Sequence, residues 1–487
     1  MRVQSLILPL LSGALLLASV AAAPLRDGPD GDGVVAADPP PGDPSGAGAG
    51  EAPASSPVPI RGETLLLRAA RVIVRPGREI ADAEILVQNG RIVAVGAGLA
   101  APPGARVLEG EVVCAGFLDP WSSLGIEPGS AGDLSTTPAT AAVDGVDPYD
   151  PAEGRREALR GGVTCARVQA GGPAQVGGVG AVVRTAERLA ATPGELVVLG
   201  DACLSATIGV TRGGRLLDVF ERVGEVERLV GQIERGRAYR ESWVEHRHDL
   251  EEWEKKIAEE AAKLEKDFKK AKKDREKEQK EAAEKDKEFK EKKYKEDRKP
   301  RAPKHDADAE VLARAAEGEI PLVVEVHRAE EIRALLAKTA AFDRLRLVIA
   351  GGTEAAAHAA ELAKRRIPVI VWPAPGLGER PDEYDGHDLA LAGELGRAGV
   401  QVLIGSGGGP HARDLRNLAA LAAGHGLDPA AALAAITTNA ARVFDVPDRL
   451  GSVERGKDAE LLVLDGDPLD TTSRIRFVIS HGEVVVE

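Results

Sequence analysis

Two periodicities alternate along most of the chain. Residues 65–74 are rich in apolar β-formers, and 85–95 carry an Asn89-Gly90 pair between two apolar arms. That pattern predicts a strand followed by a hairpin closed through a tight turn. The far end repeats it: 461–464 predict a strand and 477–486 a second tight hairpin. Isolated hairpins are marginal in water, so short strands at both ends must find partners. The economical solution is one small β-sandwich built from both ends of the chain. Between them, apolar runs at 158–168, 196–200, 322–326, 345–350, 369–372 and 400–404 alternate with helical patterns such as 329–340, 355–365 and 388–397. Alternating β and α units predict an α/β fold with a parallel sheet. Their number fits a (β/α)₈, TIM-like barrel. The glycine-rich run 171–180 lacks the spacing of a phosphate cradle and reads as loop or close packing.

One segment breaks the alternation. Residues 249–300 hold 19 Lys and Arg against 18 Asp and Glu, with no Gly and no Pro before Pro300. Glu and Lys four residues apart support a long exposed helix. Trp253, Ile257, Ala261, Leu264 and Phe268 form a narrow apolar seam that fades beyond Phe268. The insertion, 240–305 with its flanks, therefore predicts a solvated helical arm, with a coiled coil that binds a protein partner as the alternative.

The termini and composition refine this layout. Residues 1–23 combine Arg2, an apolar stretch and a small-residue site at 21–23, which predicts a secretory signal peptide. No Cys follows the apolar stretch and no later run is long enough to span a bilayer, so no membrane anchor is expected. Residues 24–60, mostly Pro, Gly, Ala and Asp, predict a disordered linker. Order is expected from 61, with a composite β-sandwich at 61–115 and 448–487 and a barrel at 116–447. The expected location is periplasmic or extracellular. A net charge of −14 with 3% aromatic residues argues against nucleic acid as a partner. Cys114 and Cys165 lie in apolar contexts and read as small buried hydrophobes. With Cys203 the count is odd, so at least one thiol is unpaired.

The most informative stretch is 110–125, GEVVCAGFLDPWSSLG. It resembles the first barrel strand of the amidohydrolase superfamily, Pro-Gly-Phe-Ile-Asp-x-His-x-His-x-Gly. Gly116, Phe117, Asp119 and Gly125 match, whereas Trp121 and Ser123 stand where the two histidines belong. Residues 449–460 resemble the family's closing Gly-Ser-Ile-x-x-Gly-Lys-x-Ala-Asp, with Glu460 for the last Asp. The resemblance, closest to the imidazolonepropionase-like branch, covers about 63–487 apart from the arm. It implies one or two divalent metals at the C-terminal strand ends, activating water for hydrolysis.

Each implied ligand position can be read against that pattern. In strand five the first His is replaced by Glu325, and the second remains as His327. In strand six Gly351 replaces the His, and in strand eight Gly407 replaces the Asp that serves as ligand and general base. Neither an indole nor a hydroxyl replaces an imidazole toward zinc, and three protein ligands are the usual minimum of a catalytic zinc site. Glu325, His327 and His411 are the residual candidates for a regrouped site. The pair His246 and His248 falls on the arm, where helical residues two apart point roughly 200° away from each other. Cys203, just past a barrel strand, reads as a nucleophile only if a base such as His327 lies beside it. No cofactor is expected. The favoured reading is a catalytically inactive homologue that binds a small ligand or protein partner. The alternatives are a hydrolase of carbon–nitrogen bonds in cyclic amides or peptides, using zinc or another divalent metal, and a scaffold acting through 249–300.

Overall fold

Strands from the two ends of the chain pair because each carries an apolar face that its own hairpin cannot cover. The computed structural model describes residues 63–126, 136–146, 153–169, 174–186, 196–209, 218–282, 298–374 and 387–487. The expected signal peptide at 1–23 and the expected linker at 24–60 lie outside the described residues. Strands β1 (Leu65–Arg75), β2 (Arg78–Gln88), β3 (Arg91–Gly96) and β4 (Arg106–Ala115) come from the N-terminal side. They join the C-terminal strands β13 (Leu461–Leu464), β14 (Ile475–Ser480) and β15 (Glu483–Val486) in one sheet, ordered β15-β14-β13-β4-β1-β2-β3. The Asn89-Gly90 turn has both residues at positive φ, 51° and 74°, as a two-residue hairpin requires. Alternation along the strands gives the sheet two buried faces. Leu461, Val463, Val113 and Ala115 enclose one core with Leu65, Leu67, Ile85 and Val87. Leu462, Leu464, Val112 and Cys114 face the other way and join the core of the second sheet.

That second sheet has eight strands, β5 (Phe117–Ser122), β6 (Val163–Val168), β7 (Val176–Arg184), β8 (Val197–Thr207), β9 (Leu322–Val326), β10 (Leu347–Gly351), β11 (Val369–Val371) and β12 (Val402–Ile404), in sequence order. It is a nearly closed, TIM-like barrel, but not all parallel as the alternation predicted. β7 runs antiparallel to both β6 and β8. Its first half belongs to the glycine-rich run, whose low apolar content hid the strand. Close packing explains those glycines: a Cβ at Gly180 would sit 2.8 Å from Cys203 Sγ and 2.9 Å from the Val168 carbonyl oxygen. The residues preceding 174 in that run lie outside the described residues.

The barrel helices are α1 (Glu153–Arg160), α2 (Val219–Ala282), α3 (Ala307–Ala316), α4 (Ala329–Thr339), α5 (Ala359–Arg365), α6 (Leu391–Arg397), α7 (Leu415–Gly424), α8 (Pro429–Ala435) and α9 (Thr438–Val443). Local chemistry sets their starts: Asp306 accepts from Ala309 N at 3.0 Å, and Asp428 from Ala431 N at 3.0 Å with Pro429 in the first turn. α2 explains the charged run. It begins as a barrel helix whose Val226, Leu229, Val230 and Ile233 are buried, and Arg222 pairs with Glu331 of α4 at 2.5 Å. The same helix continues to Ala282, so the arm prolongs a core element. His246 and His248 lie on it, His248 within 3.4 Å of Glu252. Of the predicted seam, Trp253 and Ile257 are half-buried and Ala261 is exposed, while Leu264 and Phe268 lie outside the residues whose side chains are described.

No residue from 249 to 263 is buried. Replacing 249–299 by a short Gly/Ser linker should therefore leave a single cooperative thermal transition, read by circular dichroism. Loop length enters closure entropy only at about 0.6 kcal/mol per doubling. Loss of cooperativity would make the arm part of the core.

Candidate functional site at the barrel mouth

Catalytic groups of such a barrel occupy the C-terminal strand ends, so the site is built from residues 119–123, 167, 205–207, 325–327, 351–353, 372 and 405–408. The barrel's first and last strands meet there through a carboxylate. Asp119, fully buried, accepts from Ser406 N at 3.2 Å, from Ser406 Oγ at 2.6 Å and from Trp121 N at 3.1 Å. Burial pushes the Asp119 carboxyl up to about 6, against the opposing pull of the Ser406 hydrogen bond.

A stack of four side chains crosses the mouth. The Arg167 guanidinium of β6 lies 4.8 Å from the centre of the Trp121 ring. Trp121 packs on Trp372 at 5.7 Å, and Trp372 on the His327 ring at 5.1 Å. Arg167 is buried completely and has no carboxylate partner among the described residues. Its donors reach Cys203 Sγ at 3.2 Å, Gln169 Oε1 at 3.0 Å and Ser205 Oγ at 2.6 Å. The faces of Trp121 and, at 5.7 Å, Phe444 complete its surroundings. Aromatic faces attract a desolvated guanidinium by roughly 2 kcal/mol or more, which helps to offset the cost of burying it.

The predicted positions fall around this stack. Trp121 is buried within it. Ser123 is exposed, and its Oγ accepts from Gly409 N at 3.1 Å. His327 is 1% exposed and shares a 2.6 Å hydrogen bond with Thr353 Oγ1. Its Nε2 is 3.8 Å from Glu325 Oε1, and Glu325 Oε2 accepts from Thr207 Oγ1 at 3.3 Å. Gly351 lies against His327, has φ +80°, and a Cβ there would collide with the imidazole. Gly407 also has positive φ, 75°. His411 lies in the turn Gly409–Asp414 with an exposed side chain, whereas His327 is buried. Glu325 and His327 are thus brought together, and His411 is not drawn into the same buried cluster.

This donor set does not fit the divalent metal that the family resemblance implies. It offers the His327 imidazole and the Glu325 carboxylate, with His387 lining the adjoining cavity and Asp119 engaged as the barrel's clasp. No group of three His, Cys, Asp or Glu able to hold a metal occurs among the described residues. Beside the imidazole, a cavity of about 10 Å³ lined by Gly351, Thr353, Trp372 and His387 has room for about one water. Cys203 is fully buried with Arg167 and Ser205 as its partners, which does not match a nucleophile beside His327. All three cysteines are free and buried, and burial pushes Cys114 up to about 12.

Sequence reasoning missed Arg167 and Trp372 as site residues. Arg167 had a signal, a lone charge in the apolar run 163–168. Trp372 had none, because its role depends on meeting Trp121 from another strand.

Asp119 makes the site pH-sensitive. A carboxyl whose folded pKa is raised stabilises the fold fully below its unfolded pKa, and that contribution is lost as pH rises through the folded value. Holding Asp119 at about 6 rather than 3.8 corresponds to about 3 kcal/mol. Asp119→Asn should therefore gain about 2 kcal/mol relative to wild type between pH 4 and pH 7 in urea unfolding. A constant difference across that range would show that Asp119 titrates normally.

Barrel, composite sheet and strand-end site together define an amidohydrolase-type architecture. The chain belongs to the amidohydrolase family, whose model matches residues 152–486, more than half of its length. It is similar to the crystal structure of an amidohydrolase from Thermotoga maritima MSB8, with 26% identity and a TM-score of 0.62 over 87% of this chain and 100% of that one. A putative prolidase from Bifidobacterium longum has a TM-score of 0.50 at 16% identity, covering 87% of this chain and 95% of that one. The latter likeness speaks to the fold alone. No curated protein matches the chain. Among the described residues no helix is long and apolar enough to cross a membrane.

Proposed function

We propose that this amidohydrolase-family chain is an exported, catalytically inactive homologue that binds a ligand or a partner. The observation that carries the reading is the Arg167–Trp121–Trp372–His327 stack, which fills the strand ends where the family resemblance puts metal ligands. A hydrolytic centre needs a water beside a Lewis acid or a base, and an open position for the substrate. Here the mouth is packed with rings, and position 351 cannot carry a His without displacing His327. Export rests on the leader at 1–23, and the arm at 249–300 remains the surface offered to a protein partner. The alternative, a single-metal hydrolase of carbon–nitrogen bonds, draws its support from the 3.8 Å approach of Glu325 to His327.

Elemental analysis of protein purified without chelators tests the choice. The expected result is no stoichiometric zinc, manganese or iron, and no hydrolysis of dipeptides or cyclic amides when zinc is added. One tightly bound metal per chain, lost on His327→Ala, would establish the alternative.

A further inference from the structure

We propose that a cleft of about 480 Å³ between the end of α1, the start of α7 and the residues leading into β14 binds a phosphoryl group carrying two or more negative charges. The cleft lies outside the stacked site, and the proposal does not depend on the function given above. Arg160, Arg413, Arg416 and Arg474 line it, and Glu157 is the one acidic residue among its lining. In a chain of net charge −14, four guanidinium groups lining one cleft with a single carboxylate need a reason.

The four arginines divide into two pairs. Arg160 and Arg413 share Glu157, at 2.5 and 3.3 Å, and Arg413 also lies 3.7 Å from Asp414. Arg416 and Arg474 have no carboxylate within ion-pair distance among the described residues. Arg416 is half-buried; its Nη2 donates to the Ser473 carbonyl oxygen at 3.0 Å, while its Nη1 is buried with no hydrogen-bond partner among the described residues. An unsatisfied buried donor on a charged group is costly, and an anion entering the cleft would remove that cost. Burial also holds the Arg416 pKa below the ordinary guanidinium value, more than the attraction of Asp470 and Asp465 offsets.

Ligand chemistry follows from the donors. Guanidinium forks match the paired oxygens of phosphate, and several around one cleft favour a dianion over a monoanion. Asn417 beside Arg416 adds an amide suited to a further oxygen or ester substituent. The volume falls within the range of small-molecule sites and exceeds what a bare ion needs. A phosphomonoester or a diphosphate fits, whether soluble or on a lipid headgroup.

The test is isothermal titration of the full chain with pyrophosphate and with inorganic phosphate at low ionic strength. The expected result is saturable binding of pyrophosphate that weakens with added salt. Arg474→Ser and Arg416→Gln should each weaken it about tenfold, and Arg416→Lys less, since an ammonium cannot form the fork. Arg366→Gln, in a different arginine-bearing cleft, should leave it unchanged. Should Arg416→Gln fail to fold, the exposed Arg474→Ser decides alone. Sedimentation with vesicles containing phosphatidic acid, sensitive to Arg474→Ser, would put the phosphoryl group on a lipid. Pyrophosphate binding without sedimentation would put it on a soluble ligand, and either outcome supports the proposal. Absence of both, or affinity unchanged in Arg474→Ser and Arg416→Gln, overturns it.

Discussion

Arg184→Met should destabilise the protein by about 3–5 kcal/mol at neutral pH, read as a lowered urea midpoint with unchanged slope. Arg184 of β7 is 2% exposed and bridges two buried carboxylates on the segment entering β13, Asp458 at 2.5 Å and Glu460 at 2.9 Å. Asp458 keeps a second partner in Arg449 at 2.7 Å, so the variant mainly strands Glu460. Burial already raises the Glu460 pKa, and Arg184 is the chief opposing influence. Without it the carboxyl rises further, and stability is lost over a wider span as pH climbs from the unfolded value toward the folded one. The deficit should therefore be smaller at pH 5 than at pH 7. Adding Glu460→Met should recover part of the loss, because an apolar pair replaces a stranded charge. A double variant as unstable as the sum of the singles would mean that the two side chains do not couple.

Trp121→Ala should cost about 3–5 kcal/mol from the buried cavity alone. It should also strip Arg167 of one of its two aromatic faces, leaving Phe444. Two indoles tilted by 57° at 5.7 Å are close enough to couple optically. The near-ultraviolet circular dichroism of wild type should therefore contain a component that disappears alike in Trp121→Ala and Trp372→Ala. Retention of the full signal in either variant would separate the rings and dissolve the stack on which the functional reading rests. Trp121→His is the informative companion: it returns the family's residue but withdraws the ring that Arg167 and Trp372 pack against. Its stability should lie between wild type and Trp121→Ala.

Much of the architecture was legible in the chain itself. Asn89-Gly90 fixes a hairpin because only residues tolerant of positive φ close a two-residue turn. The runs 322–326, 345–350 and 400–404 read as strands because they are continuous, apolar and bounded by turn residues. The replacements at 121, 123, 351 and 407 were visible as residue types, since ligand chemistry depends on identity. β7 was not legible, because its glycines carry no side-chain pattern and its antiparallel direction is set by packing on β6 and β8. The true start of the arm helix was also hidden, because Val226 to Ile233 look like any amphipathic barrel segment until the charged run is seen to continue them.

What replaces the ligands was decided only in three dimensions. Arg167, Trp121, Trp372 and His327 lie on four different strand ends, and no spacing along the chain relates them. The same holds for the basic cleft, where arginines from α1, α7 and the approach to β14 converge. Local sequence can specify a turn or a strand because the interactions responsible span a few residues. A stack or a charge cluster assembled from distant segments depends on barrel closure, which here runs through one buried carboxylate, Asp119, and the hydroxyl and backbone amide of Ser406.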